Sequence, residues 1–189
     1  MASWAQPGSG DCRYHPGVTF DLATAVAALR RTPDVTETLL GPLGEAWAWH
    51  RPAPTEWSAA EVLGHFIHGE RTDWIPRARI ILDHGPTRPF DPFDREGSLA
   101  AAAGRSAREL LDTFRSLREE NVATLLSWQL TEADLDRTGR HPAFGEVTLR
   151  QLLATWVTHD HVHLAQMSQA AATAWAGEVG PWHQYLWEQ

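Results

Sequence analysis

Apolar residues recur every three or four positions along most of the chain, and this spacing is typical of helices with one buried face. The pattern predicts helices over 21–31, 33 to about 50, 59 to about 84, 98 or 106 to about 128, and 149 to about 175. No segment has the alternating pattern of a convincing strand, and residues 144–148 form the single short stretch that looks extended. The chain is therefore predicted to be all-α, and its long helices with medium connections favour a four-helix bundle.

Short sequence signals mark where three of these helices begin. Two of them combine a polar cap residue with a proline or an acid inside the first turn, and the third is a cap residue alone. They lie at Thr32-Pro33-Asp34, at Ser58 with Glu61, and at Thr148. The connections fall in turn-rich stretches, at residues 85–97 with three prolines and at residues 131–145.

Length and composition limit the class of protein. The chain has 189 residues, 43% of them hydrophobic and 21% charged, which suits one soluble domain with a real core. We divide it into an N-terminal leader (1–17), a bundle (18–175) and a C-terminal tail (176–189) that we expect to pack on the bundle or on a dimer partner. Trp182 and Trp187 lie in that tail.

The charge pattern and the termini exclude several functions. The net charge of −8 comes from 24 acids and 16 bases, all arginine, so no basic patch for nucleic acid stands out. Cys12 is the single cysteine, which rules out an intrachain disulfide and fits a reducing cytoplasm. No apolar run resembles a signal peptide or a membrane span. We therefore expect a cytoplasmic protein without nucleic-acid or membrane partners.

Three histidines are candidate metal ligands. His159 and His163 are four residues apart, so on a helix their side chains project from one face and can bind one ion. His65 falls on the more apolar side of an earlier helix, whereas His161 is turned about 200° away from both members of the pair. The chain has ten histidines, so such a pair also arises by chance and can be a surface or core feature. Burying these imidazoles without a partner would cost about 1–3 kcal/mol each.

The number of ligands indicates the chemistry of such a site. Three imidazoles leave at least one coordination position open, which is typical of catalytic rather than structural zinc sites. The bound metal could lower the pKa of a water molecule or stabilise a thiolate nucleophile. All-imidazole ligation suits zinc, nickel, iron or copper. We expect one divalent ion, zinc or nickel, with iron or manganese as alternatives.

Other polar residues near these histidines are candidate catalytic groups. Glu61 and Asp73 lie one turn before and two turns after His65, and each can equally be a cap or a surface acid. Asp160 follows a ligand directly and can orient a neighbouring imidazole or a partner helix, or be a solvated acid. His68 can be a partner of the ligands, a proton shuttle or merely an exposed residue.

Several motifs in a fixed order resemble the DinB-like superfamily, including its YfiT-type members. The resemblance covers about residues 18–172. Its motifs are Thr32-Pro33, Pro54-Thr55-Glu56-Trp57-Ser58, Glu61-Val62-Leu63-Gly64-His65 with Glu70, His141-Pro142, Gly145-Glu146-Val147-Thr148-Leu149, His159-Asp160 and His163-Leu164-Ala165-Gln166. One departure is His68, at a position where relatives often have an acid.

The resemblance implies a four-helix bundle with a three-histidine divalent metal site, here His65, His159 and His163. Related members include S-transferases that use low-molecular-weight thiols and a mycothiol-dependent maleylpyruvate isomerase. We therefore expect a metal-dependent thiol S-transferase with a small-molecule substrate and a thiol co-substrate. The alternatives are a metal-dependent hydrolase and a non-catalytic, metal-stabilised or stress-related binding protein. The apolar tail separately leads us to expect a homodimer.

Overall fold

The computed structural model describes residues 17–94 and 97–187, so Cys12 and nearly all of the expected leader lie outside the described residues. The helices are α1 Leu22–Leu40, α2 Glu45–Ala48, α3 Ala59–Thr72, α4 Trp74–His84, α5 Gly97–Ala102, α6 Ala107–Ser127, α7 Glu132–Leu135, α8 Leu149–Ala172 and α9 His183–Trp187. The strands are β1 Thr138–His141 and β2 Gly145–Thr148. Single 3₁₀ turns lie at Gly85–Thr87, Thr173–Trp175 and Gly180–Trp182.

The four long helices α1, α3, α6 and α8 form a bundle. Helix α1 packs on α6 and α8, and α3 packs on the same two helices from the other side. Helix α5 covers α3, and α4 packs on α8. The predicted all-α class and four-helix bundle are confirmed.

Helix α1 runs through the position where a second helix start was predicted. That prediction is wrong because Pro33 lies inside the helix, twelve positions into its nineteen residues. A proline has no N–H, so it leaves the carbonyl four residues earlier without its usual donor. Here that carbonyl belongs to Leu29, and it accepts a hydrogen bond of 2.9 Å from Nη1 of Arg118. A contact from another helix thus compensates for the proline.

The helix predicted from residue 59 to about 84 is divided at Asp73 into α3 and α4. Asp73 has φ −111° and ψ −71°, away from the geometry of a regular helix. Pro76 explains the break, because its ring occupies the space that the Thr72 carbonyl would take in a continuous helix. This proline was not used in the sequence prediction.

Capping boxes fix the starts of the other long helices. The Ser58 hydroxyl accepts a hydrogen bond from the Glu61 backbone, and the Glu61 carboxylate accepts one from the Ser58 backbone. Thr148 and Gln151 form the same arrangement at α8, as predicted for its start. Of the two alternatives for α6, the structure has the later one, with Ser106 as the cap residue.

A two-stranded antiparallel sheet precedes α8, and it was not predicted. Strand β2 coincides with the stretch that looked extended, but β1 reads Thr-Gly-Arg-His and lacks alternating apolar residues. Gly139 pairs with Val147 in the register of the hairpin. A Cβ on Gly139 would come within 2.6 Å of Ile81 Cγ1, so the glycine allows the strand to lie against α4. A tertiary contact, rather than a sequence pattern, therefore positions this strand.

The core contains two apolar clusters with a charged side chain between them. Arg118 is buried, and its guanidinium lies 5.0 Å from the Phe114 ring of one cluster and 5.1 Å from the Trp156 ring of the other. It donates to Oε1 of Glu70 at 2.8 Å and to Oδ2 of Asp160 at 2.5 Å. A buried charge of this kind is tolerated only when it is paired, as it is here.

The C-terminal tail leaves much of its apolar surface exposed. Trp182, Tyr185 and Leu186 are 68%, 71% and 59% exposed. Trp175, just before the tail, packs edge-on against Trp47 with 4.8 Å between ring centroids. None of the helices in the described ranges combines the length and apolar character needed to cross a bilayer.

Candidate metal centre

Two helices of the bundle bring His65, His159 and His163 together. One ring nitrogen of each lies within 4.8 Å of the other two. Nε2 of His65 and Nε2 of His159 are 2.8 Å apart, although 94 positions separate these residues in the chain. The capping boxes of α3 and α8 set where each helix begins, and so which face each histidine occupies. The sequence predicted this grouping, and the structure contains it.

Neighbouring side chains hold two of the rings in place. Nδ1 of His65 lies 3.1 Å from the hydroxyl of buried Ser98, and Nδ1 of His163 lies 2.8 Å from Oε1 of Gln166. Because the amide oxygen only accepts, Nδ1 of His163 carries the proton and Nε2 keeps a free lone pair. Hydrogen bonds of this kind orient histidines that bind metals. The Nδ1 atom of His159 is buried without a hydrogen-bond partner among the described residues.

The surroundings keep the three imidazoles neutral. Burial lowers the pKa of His65 to about 3, and the neighbouring His163 and His68 act in the same direction. Burial and the other two triad members lower the pKa of His159 to about 2. The pKa of His163 is lowered by burial, against the hydrogen bond to Gln166. Metal ligation needs neutral imidazoles, so all three rings are in the required state at pH 7.

Aromatic rings enclose the cluster. Phe66 and Trp74 are buried, and their rings lie 5.9 and 5.1 Å from the ring of His159. Trp57 and Phe93 are partly exposed, and their rings lie 5.3 and 5.9 Å from the ring of His65. The inner side of the cluster is therefore apolar and sealed, while its outer side meets solvent beside two rings.

Glu61 and Asp160 are engaged in structural contacts. Glu61 caps α3 and accepts from Nε of Arg51 at 3.0 Å. Asp160 is 2% exposed, so its interpretation as a solvated acid is wrong, and it binds Arg118 and the hydroxyl of Thr32. Both carboxylates point to partners other than the three histidines.

His68 and Asp73 lie further along the same side of the bundle. His68 is 8% exposed, so the alternative of an exposed residue is wrong. Its ring packs edge-on against Phe93 at 5.1 Å, and its Nε2 has no hydrogen-bond partner among the residues described. Asp73 pairs with Arg77 at 2.5 Å. His161, in contrast, is exposed on the outer face of α8.

Sequence reasoning missed Ser98 and gave Gln166 no role. Gln166 carried a usable signal, because a residue three positions after a helical histidine lies on the same face. Ser98 carried none, since α5 is a helix of only six residues whose sequence has no periodic pattern that would place it against α3. Trp57 and Phe93 were missed for the same reason, because both lie outside the long helices.

The fold and the site together define a helical-bundle protein with a three-histidine cluster suited to a divalent metal. The chain belongs to the DinB superfamily, whose family model matches residues 28–167. The structure is similar to that of YfiT from Bacillus subtilis, described as a probable metal-dependent hydrolase with an unusual four-helix bundle topology. The two chains are 18% identical with a TM-score of 0.69, over 88% of this chain and 94% of YfiT. No curated protein sequence matches this chain.

Proposed function

We propose that this protein is a metal-dependent enzyme in which His65, His159 and His163 hold one divalent ion. The observation that carries the proposal is the convergence of three neutral ring nitrogens within 4.8 Å of one another. Membership of the DinB superfamily and the likeness to YfiT support it.

The donor set fits a metal better than a plain hydrogen-bond cluster. Two of the imidazoles can share a proton across the 2.8 Å contact between Nε2 of His65 and Nε2 of His159, but Nε2 of His163 keeps a lone pair that faces the same cluster and suits a cation. The Ser98 and Gln166 contacts leave Nε2 as the inward-facing atom of His65 and His163. All-nitrogen ligation favours zinc or nickel, with iron or manganese as alternatives. Such an ion, when bound, lowers the pKa of a thiol or water molecule that it coordinates.

The reaction that we propose is transfer of a low-molecular-weight thiol to a small electrophile. A carbon–sulfur bond forms while the bond to the leaving group breaks, and the thiol proton departs with that group. This chemistry needs no strong carboxylate base, and Glu61 and Asp160 are committed to capping and to Arg118. The chain's own residues orient the ligand rings through Ser98 and Gln166.

A metal-dependent hydrolase is the second candidate. The description of YfiT as a probable metal-dependent hydrolase favours it. Hydrolysis would need a group that takes a proton from water, and a candidate is buried His68, whose Nε2 has no hydrogen-bond partner among the described residues. Activity assays with and without thiol distinguish the two reactions.

The experiment begins with the metal content of purified protein, wild type and His163→Ala, with His161→Ala as the matched control. We expect one ion per chain in the wild type and in His161→Ala, and loss in His163→Ala. The metal-loaded protein is then incubated with a generic electrophile, with and without bacillithiol, mycothiol or glutathione. Turnover that needs thiol and disappears in His65→Ala supports transfer. Thiol-independent cleavage of esters or amides supports the hydrolase, and no turnover in either assay supports a binding role.

We also propose that the protein forms a homodimer through its tail. The exposed Trp182, Tyr185 and Leu186 support this, since large exposed apolar side chains grouped in one short segment are typical of association sites. Sedimentation of the full chain and of a chain ending at Gly180 tests it. We expect a dimer that becomes a monomer on truncation, and an unchanged association state would refute the proposal.

A further inference from the structure

The outer side of the histidine cluster has a distinct chemical character. We define the aromatic rim as Trp57 and Phe93, whose rings lie 5.3 and 5.9 Å from the ring of His65. Both are partly exposed, whereas Phe66 and Trp74 on the inner side are 1% and 4% exposed. A molecule that approaches His65 from solvent therefore passes between or beside the two rings of the rim.

The two rings come from separate segments, and the structure supports each of them. Trp57 directly precedes Ser58, so the capping box of α3 restrains its backbone, and its side chain packs on the core cluster around Phe66. Phe93 lies before α5, and its ring packs edge-on against the ring of buried His68 at 5.1 Å. The rim is thus a preformed feature rather than a pair of isolated surface rings.

The geometry of the rim matches recognition of a flat apolar group. Both rings are inclined to the ring of His65, at 52° and 79°, so they do not stack flat upon it. Aromatic rings pair favourably at centroid distances of about 4.5–7 Å, in edge-to-face or offset arrangements. A planar substituent beside the metal ligands can make such contacts with one or both rings.

We propose that the aromatic rim selects substrates that carry an aryl or other flat apolar group next to the reacting atom. This inference rests on the proposed function, because it names the substrate class of the same metal site. An aliphatic substrate of similar reactivity reaches the ligands but lacks the ring contacts. We therefore expect a preference for aromatic substrates of about tenfold.

The test compares two probes that bind metal in the same way, benzohydroxamate and acetohydroxamate. Their affinities for zinc-loaded protein are measured by calorimetry, so the result does not depend on turnover. We define the affinity ratio as the affinity for benzohydroxamate divided by the affinity for acetohydroxamate. We expect this ratio to fall by about threefold to tenfold in Trp57→Ala and in Phe93→Ala. Phe93→Leu, which keeps apolar bulk without a ring, should lower the ratio as well. Trp182→Ala, a change at the exposed tail, is the matched control and should leave the ratio unchanged.

The outcomes separate this inference from the proposed function. A ratio that is the same in the wild type and in both rim variants would overturn the inference and leave the metal site intact. Failure of both hydroxamates to bind a chain that holds one zinc ion would contradict an open metal site, and with it both proposals. A lower ratio of benzohydroxamate to acetohydroxamate affinity in Phe93→Leu, at unchanged zinc content, supports selection by the aromatic rim. The unchanged zinc content shows that folding and metal binding are preserved.

Discussion

Arg118 and Asp160 form a buried ion pair across the bundle, with 2.5 Å between Nη1 and Oδ2. The arginine is 1% exposed and the aspartate is 2% exposed. The same guanidinium also pairs with Glu70, which in turn accepts from Nε1 of Trp156 at 3.1 Å. Asp160 is the residue next to His159 in α8, so the ion pair lies beside the candidate metal centre.

Removal of the arginine should be strongly destabilising. Arg118→Met leaves two buried carboxylates without their cation, and breaking a buried pair typically costs about 3–5 kcal/mol. Urea unfolding of the variant measures this loss. The matched control is Arg108→Met, since Arg108 also joins two acids, Glu37 and Asp112, but lies exposed at the surface. Exposed pairs contribute about 0–1 kcal/mol, so an equal loss in both variants would contradict the prediction.

The hydrogen bond from Nδ1 of His163 to Gln166 should contribute to metal affinity. Gln166→Leu removes the acceptor that orients the ring, and loss of such a partner typically weakens metal binding by about 10–100-fold. Competition with a chelator of known affinity measures the change. Gln169→Leu, on the exposed side of α8, is the control and should bind metal as the wild type does. If Gln166→Leu keeps full affinity, this hydrogen bond does not support the site.

Gly64 should be required where α5 crosses α3. A Cβ at this position would lie 2.6 Å from the carbonyl oxygen of Ser98 and 2.7 Å from Cβ of Ala102. Gly64→Ala should therefore displace α5, and Ser98 with it, at a cost of about 1–3 kcal/mol that outweighs the better helix propensity of alanine. Unfolding and metal titration should both show the effect. Gly177→Ala, where nothing lies within 4 Å, should change neither property.

The stability of the metal-free protein should fall in mild acid. The pKa values of His65 and His159 are lowered to about 3 and about 2, whereas in the unfolded chain they are about 6.5. Between about pH 3 and pH 6.5 the unfolded chain therefore binds more protons, so the free energy of unfolding decreases as the pH falls. Urea unfolding at pH 7.5 and pH 5.0 measures this decrease.

The comparison that isolates the histidines uses two variants. His159→Gln removes one buried titrating group and should lose less stability between pH 7.5 and pH 5.0 than the wild type. His161→Gln removes an exposed histidine and should show the wild-type pH dependence. An identical pH dependence in all three proteins would show that the buried imidazoles do not control it.

Features that depend on neighbouring residues in the chain were predictable. The caps at Ser58 and Thr148 depend on residues three positions away, and the sequence predicted both. The same is true of His159 and His163, whose common face follows from the helical repeat alone. His65 was predicted as the third ligand because the apolar stripe of its helix indicates which side faces the core.

Features that depend on distant contacts were not predictable. The sequence around Pro33 predicts a helix start, because the side chain that compensates for this proline, Arg118, binds the Leu29 carbonyl from 89 positions further along the chain. Ser98 reaches His65 only because α5 covers α3. Arg118 itself did carry a signal, since it lies one turn after Phe114 and one turn before Val122 on the buried stripe of α6.

The contacts of Arg118 have a consequence for how the four helices are aligned. Its side chain starts on α6 and bonds to the Leu29 carbonyl of α1, to Glu70 of α3 and to Asp160 of α8. Leucines and alanines tolerate a helix that slides by one turn, about 5.4 Å, but a planar fork of five donors does not. Glu70 lies five residues after His65, and Asp160 directly follows His159. Arg118, which sets the register of the four helices, therefore also sets the position along the bundle axis at which His65 of α3 meets His159 of α8.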